Sequence, residues 1–335
     1  MQTDFDPANL QALLDARFGP AAMDLQRISG GQSNPTWFVT HGPARMVLRK
    51  QPPGEILKGA HAIDREYRVL SALAPTAVPV PRPILYHADP ELLGTPFYLM
   101  ERVEGRVFED CALPDARPEE RRALWMALAD ALALLHDVRP EAVGLGDFGR
   151  PGNYFERQLA RWSGQLAQSV TGPWPELERL AALLPPLLPE EYGASGIAHG
   201  DFRMGNVLFH PSEPRVVAIL DWELSTLGHS LADLGFCTMP WNTAPEEYGG
   251  LKGIDLAGAA LPDKAEFVAR YQMRRPESGP LLPFHEAFAL FRFAVIFVGI
   301  ADRAARGNAA GSNASRVAPL ARNFALRALQ IIERT

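Results

Sequence analysis

Residues 197–210 read IAHGDFRMGNVLFH, and residues 216–223 read VVAILDWE. Between them His210-Pro211-Ser212-Glu213-Pro214-Arg215 is rich in turn formers. The pattern predicts a β-hairpin, with Asn206 to Phe209 running out and Arg215 to Leu220 running back. With the turn centred near Ser212 and Glu213, Asn206 falls opposite Ile219, about two residues from Asp221. Asp201 lies one short loop before the first strand, at the same end. Two carboxylates and one amide oxygen therefore converge at one edge of one hairpin.

Oxygen ligands of this kind suit a hard cation such as Mg²⁺, which takes one or two carboxylates and completes its shell with substrate phosphates. A further carboxylate held off the metal can accept a proton or orient a hydroxyl. Together these are the parts of phosphoryl transfer from a nucleotide. The spacing HGDxxxxN resembles the HRDxxxxN catalytic loop of kinases, with Asp221 in the place of the DFG aspartate. A solvated hairpin end is the ordinary reading of any one of these residues. Their order together favours a site.

The 335 residues suffice for two lobes with sizeable cores. Hydrophobic content of 47% and charged content of 21% are those of a soluble globular protein, and a net charge of -6 disfavours a nucleic-acid or anionic-membrane surface. Cys111 and Cys237 stand far apart without metal-ligand spacing, as in a reduced compartment. The acidic start MQTDFDPANL lacks a signal-peptide apolar region. The apolar run from Ala287 to Ala301 is too short for a membrane span, and Arg292 interrupts it. A cytoplasmic location is expected.

Upstream, residues 7–18 have helical periodicity, and a strand, the Gly30-Gly31 turn and a second strand follow. Gly30, Gly31, Ser33 and Asn34 offer backbone and side-chain donors that could cover phosphates, or that simply satisfy a hairpin turn. Arg45 to Lys50 reads as a third strand, whose alternation puts Met46, Leu48 and Lys50 on one face and Val47 and Arg49 on the other. Either Arg49 or Lys50 reaches the cleft. Helix signals run from about Gly59 to Leu73, with Glu66 at the border of the apolar face, where it can hold a strand base toward phosphates. Pro75 to Pro83 reads as extended connector and Thr95 to Val103 as a strand. After Val103 helices dominate: Pro118 to His136, a stretch broken by Trp and Pro from Tyr154 to Leu188, then Asp263 to Met273, Phe284 to Arg306 and Arg316 to Ile332. The fold class is α+β and bilobal, with an antiparallel-sheet lobe over residues 1–103 and a mostly helical lobe over 104–335.

These motifs together resemble the aminoglycoside phosphotransferase and choline kinase-like family, which has a protein-kinase-like fold. The stretches AHAIDREYRVL, VPVPRP, GTPFYLMERVEG and LDWELSTLGHSLADLG are similar to the phosphotransferase domains associated with acyl-CoA dehydrogenases. The resemblance implies Asp201 as the residue that orients and deprotonates the acceptor hydroxyl, and Asn206 and Asp221 as Mg²⁺ ligands. It implies Arg49 on the ATP phosphates with Glu66 as its partner, and an inter-lobe hinge at Met100, Glu101 and Val103 that reads adenine. Asp233 matches the aspartate that braces the catalytic loop, and His199 is expected to brace it too. Arg49 departs from the family's lysine, and Glu223 stands either near a second metal or in solvent. No APE-type segment follows, which argues against a protein substrate.

The expected function is ATP- and Mg²⁺-dependent phosphorylation of a small-molecule hydroxyl, with a hydroxyacyl-CoA or hydroxy acid as the acceptor the resemblance suggests. The alternatives are an aminoglycoside or choline-type kinase, and a non-catalytic nucleotide-binding module on the same fold.

Overall fold

A computed structural model describes residues 3–28, 34–54, 62–150, 152–190, 195–306 and 314–334. Helix α1 (Pro7–Phe18) starts where Asp6 accepts a hydrogen bond from the Ala8 N–H and Pro7 sets the first turn. Strands β1 (Met23–Arg27), β2 (Thr36–His41) and β3 (Ala44–Lys50) follow, then α2 (Ile63–Leu73), β4 (Pro83–His87) and β5 (Phe97–Glu101). They form one antiparallel sheet in the order β1-β2-β3-β5-β4.

The period-2 alternation of β3 separates two cores. Met46 and Leu48 pack with Leu10, Leu14, Trp37 and Phe97 under α1, whereas Val47 lies with Tyr98, Val69 and Leu70 under α2. Each fully buried Leu contributes about 1.5–3 kcal/mol, so the sheet is clamped from both faces. Arg49 shares the α2 face and Lys50 the α1 face, where Lys50 is 1% exposed and its Nζ lies 2.8 Å from Asp4 Oδ2. The sequence left open which base enters the cleft. The strand's register turns Arg49 toward it.

The larger part holds α3 (Pro118–His136), α4 (Tyr154–Ala167), α5 (Pro175–Leu183), β6 (Gly196–Ala198), β7 (Val207–Phe209), β8 (Val216–Ile219), β9 (Thr226–Gly228), α6 (Ser230–Cys237), α7 (Met239–Asn242), α8 (Lys264–Arg274), α9 (Pro283–Ala305) and α10 (Ala314–Ile332). β6 pairs with β9 and β7 with β8, both antiparallel. The expected bilobal α+β arrangement is the one observed. The short strands β4, β6 and β9 were not expected: β4 begins at Pro83 inside a proline-rich stretch, and β6 and β9 are three residues each, too short for a periodicity signal.

Helix α9 is the helix expected over Phe284 to Arg306, and it is buried in the larger lobe, although it is longer than its apolar run suggested. Its 23 residues include an 18-residue window of mean hydropathy 1.7, long and apolar enough to cross a membrane, but 83% of that window is buried inside the protein. It is the central core helix, packed against α4, α6 and α10. Arg292, which interrupts the run, donates to the Gly200 carbonyl.

Candidate active site

Strands β7 and β8 pair Val207 with Ile219 and Leu208 with Ala218, but Phe209 with Val216. Val217 is the extra residue of a bulge, so the register beyond it moves by one. Asn206 therefore stands opposite Leu220 rather than Ile219, and the Leu220 N–H donates to its carbonyl at 2.8 Å. It closes a 3₁₀ turn, Met204–Asn206, instead of starting the strand. Its Nδ2 donates to the Asp201 carbonyl at 2.8 Å and to Asp201 Oδ2 at 2.6 Å. Both bonds use the amide nitrogen, which leaves Oδ1 as an acceptor.

Asp221 follows β8 at once, with φ 62° and ψ 65°. That left-handed conformation costs a residue with a Cβ about 1–3 kcal/mol and persists only where the surroundings impose it. Here it delivers the carboxylate to Arg49, whose Nη2 donates to Oδ1 at 2.7 Å.

The loop is held from behind. Asp233, 1% exposed on α6, accepts from the His199 N–H at 2.7 Å and the Gly200 N–H at 2.9 Å, with His136 Nε2 at 3.3 Å. His199 has two fixed partners: Nδ1 accepts from the Asp201 N–H at 3.1 Å, so Nε2 carries the proton toward the Leu220 carbonyl at 2.8 Å. Burial pushes its pKa down, against the pull of Asp233 and Asp201, and keeps the ring neutral. Gly200 is required: its φ is +85°, and a Cβ there would lie 2.6 Å from the Leu224 carbonyl oxygen.

Glu66 is 1% exposed, deeper than its expected place at the helix border. It meets Arg49 Nε at 2.7 Å, the Tyr98 hydroxyl at 3.0 Å and Asn34 Nδ2 at 2.6 Å. Burial raises its carboxyl pKa and the Arg49 charge pulls it back. Burial is the largest single influence on Arg49 and opposes its charge, but Glu66, Tyr98, Asp221 and Glu223 together outweigh it, and the guanidinium stays ionised. Asn34, expected either to donate to a phosphate or to satisfy the turn, is 3% exposed and donates one amide N–H to Glu66. Gly30, Gly31 and Ser33 lie outside the described residues.

A cleft of about 1270 Å³ lies between the sheet and the helical lobe. Arg49, Met100, Glu101, Val103, Asp201, Asn206, Asp221 and Glu223 all line it, while Glu66 and Asn34 sit behind its wall. Ile28, Phe38 and Val47 form its sheet side. Its helical end is apolar, with Phe293, Ile296, Phe297 and Ile300 from α9 and Leu320 from α10. Arg203, Glu109 and Tyr248 also line it and were not singled out from the sequence. Arg203 Nε stands 3.7 Å from Asp201 Oδ2 and Nη1 3.6 Å from Glu109 Oε2, with Cζ 5.8 Å from the Tyr248 ring. Its position two residues after Asp201 was the available signal; Glu109 and Tyr248 arrive by tertiary packing alone. Burial raises the Asp201 pKa, and Arg203 and His199 partly offset it. A carboxylate made more basic in this way, beside an amide oxygen and a second carboxylate, can take a proton next to a bound cation.

This architecture defines the class. A small antiparallel sheet over a helical lobe, with the metal-capable hairpin facing a Glu-held base, is a protein-kinase-like fold. The Phosphotransferase enzyme family model matches residues 24–286, and the chain belongs to that family. A crystal structure from Ralstonia eutropha JMP134, provisionally described as an aminoglycoside phosphotransferase, is 38% identical with TM-score 0.88, covering 98% of this chain and 99% of that one. APH(4)-Ia in ternary complex with AMP-PNP and hygromycin B shares the fold, with TM-score 0.58 at 15% identity over 96% of this chain and 98% of that one. Among curated proteins, "Probable acyl-CoA dehydrogenase IBR3" of Arabidopsis thaliana is 40% identical over 94% of this chain and 40% of its own length. "Acyl-CoA dehydrogenase family member 11" of Homo sapiens is 35% identical over 100% of this chain and 44% of its own length. The chain thus spans less than half of these curated relatives.

Proposed function

We propose that this chain is an ATP- and Mg²⁺-dependent kinase that transfers the γ-phosphoryl group to a hydroxyl of a small molecule. The observation that carries the reading is the meeting of Asp201, Asn206 and Asp221 in one cleft with an Arg49 held by Glu66. The donor set fits magnesium: the Asp221 carboxylate and Asn206 Oδ1 are hard oxygen ligands that would hold it, with substrate phosphates completing the shell. Bound there, the ion supplies neutralisation of phosphate charge.

Arg49 now spends one N–H on Asp221, and that donor turns to phosphate when nucleotide enters. Met100, Glu101 and Val103 offer backbone to the adenine edge, and the lobe boundary falls after Val103. Asp201 accepts the hydroxyl proton while the acceptor oxygen bonds to the γ-phosphorus and the bond from that phosphorus to the bridging oxygen breaks. The products are a phosphate ester and ADP. His199 has its Nδ1 lone pair on the Asp201 N–H and its Nε2–H on the Leu220 carbonyl, which leaves Asp201 to serve as the base of the loop, and Asn206 orients it at 2.6 Å.

The apolar end beyond Asp201 favours an acceptor with a hydrocarbon portion, as in a hydroxyacyl-CoA or hydroxy acid, over a polycationic sugar. The names of the curated relatives point the same way. Incubating the protein with Mg-ATP and a panel of hydroxyacyl-CoAs, hydroxy acids, amino sugars and choline analogues tests this. ADP release with an acyl-type acceptor, absent in Asp201→Ala, supports the reading. Turnover of an amino sugar alone would overturn the acceptor assignment.

A further inference from the structure

A second cavity, of about 40 Å³, adjoins the cleft beside the catalytic loop. Glu109, Arg203, Gly205, Tyr248 and Phe293 belong to the walls of both. Trp125 and Leu128 of α3, Phe236 of α6 and Met239 of α7, all buried, form its inner side. The side-chain donors of that wall are already spent. Trp125 Nε1 donates to the Cys111 carbonyl at 3.2 Å, Cys237 Sγ to the Phe202 carbonyl at 3.1 Å and Thr243 Oγ1 to the Met239 carbonyl at 3.1 Å. Glu247 accepts from the Ala244 N–H and from Arg327. A buried water needs roughly two to four polar partners, so a space walled in this way favours hydrocarbon over water. Protein interiors are otherwise close-packed, and an apolar space beside the reacting groups calls for an occupant.

Three features mark the junction with the cleft. Arg203, whose Nε stands 3.7 Å from Asp201 Oδ2, faces Glu109 Oε2 from Nη1 at 3.6 Å. That contact is longer than a hydrogen bond and Glu109 is exposed, so the two side chains part at small cost. Gly205 leaves room for them: a Cβ there would lie 2.5 Å from Arg203 Nη1 and 2.8 Å from Glu109 Oε2. Tyr248 has a φ of 72°, a left-handed conformation kept only where the surroundings impose it, and its ring packs edge-on to Phe293 at 5.2 Å.

We propose, on the acceptor reading above, that this side cavity is a tail subsite that selects the acceptor by the length of hydrocarbon beyond its reacting hydroxyl. An alcohol with a chain on each side of its carbinol carbon has two arms to place around Asp201. The acyl arm follows Phe297, Ile300 and Leu320 along the large cleft, and the tail passes Arg203 and Gly205 into the small cavity. At roughly 10–15 Å³ for each water-sized group, a space of about 40 Å³ takes a tail of about three carbons.

The test is calorimetric binding of linear hydroxyacyl-CoAs to the full chain with Mg²⁺ and a non-hydrolysable ATP analogue. The acyl arm and hydroxyl position stay fixed while the tail grows one carbon at a time from none. In the wild type each carbon up to about three tightens binding about fourfold, and longer tails bind more weakly. Cys111→Leu, which fills the cavity, moves the optimum to shorter tails, and Met239→Ala, which enlarges it, moves the optimum to longer ones. Equal affinity across the wild-type series, which needs no variant, or an optimum that neither variant moves, would overturn the subsite. Phosphoryl transfer to the member without a tail reports the reaction separately. Transfer that is indifferent to tail length overturns the subsite and leaves the reaction standing, whereas tail-dependent binding without transfer supports the subsite and overturns the reaction.

Discussion

Replacing Glu66 removes the carboxylate on which three neighbouring side chains converge: the Arg49 guanidinium, ion-paired with Nε at 2.7 Å and donating from Nη2 at 3.4 Å, and the Tyr98 hydroxyl at 3.0 Å and Asn34 Nδ2 at 2.6 Å. In Glu66→Ala the buried Arg49 keeps only Asp221, and breaking one side of a buried pair costs about 3–5 kcal/mol. Glu66→Gln preserves volume and one carbonyl but loses the charge and turns an amide toward donors, which costs about 1–3 kcal/mol. Urea denaturation followed by intrinsic fluorescence reads both, with Glu66→Ala the less stable. The same variants raise KM for Mg-ATP about tenfold, because an unanchored guanidinium no longer points at the phosphates. If both variants unfold within about 0.5 kcal/mol of the wild type, as ordinary surface substitutions do, the Glu66-centred account is refuted.

Three further outcomes follow from the geometry. Arg49→Met raises KM for Mg-ATP about tenfold or more, whereas Lys50→Met, on the Asp4 side of the sheet, leaves it within about twofold; nucleotide kinetics on both decide which base serves the cleft. Asp233→Asn strips a buried carboxylate from two loop N–H groups and His136 and lowers stability by about 3–5 kcal/mol in chemical denaturation. Burial already raises Asp201, so its base form, and with it kcat/KM, is lost as pH falls through a pKa above the ordinary aspartate value. Arg203 acts against that rise, so Arg203→Gln moves the acid limb of the pH profile to still higher pH, and an unmoved limb would contradict the Arg203–Asp201 coupling.

Much of this was legible in residue order because the key geometry is local. Asp201, Asn206 and Asp221 sit on one loop and one hairpin, and turn chemistry alone brings them to the same edge. The bulge at Val217 was not legible, since no residue type in VVAIL marks it, and it moved Asn206 by one position. The bilobal α+β class followed from strands giving way to helices along the chain. Long-range burial was the blind spot. Glu66 does pair with the strand base Arg49 as expected, but its depth, with Tyr98 of β5 and Asn34 closed over it, was not legible from a helix border position. Arg203, Glu109 and Tyr248 come from segments distant in the chain whose meeting no local pattern encodes.

The central claim is that Asp201 serves phosphoryl transfer in the cleft. Phosphorus NMR of the protein with Mg-ATP and an acyl-type hydroxyl acceptor reads it directly. The account predicts a phosphate-monoester resonance growing in step with ADP, slowed about 10²–10⁴-fold in Asp201→Ala, which still binds the nucleotide. Ester formation at the wild-type rate in Asp201→Ala, or bound Mg-ATP that phosphorylates no hydroxyl acceptor of any class tried, would contradict it.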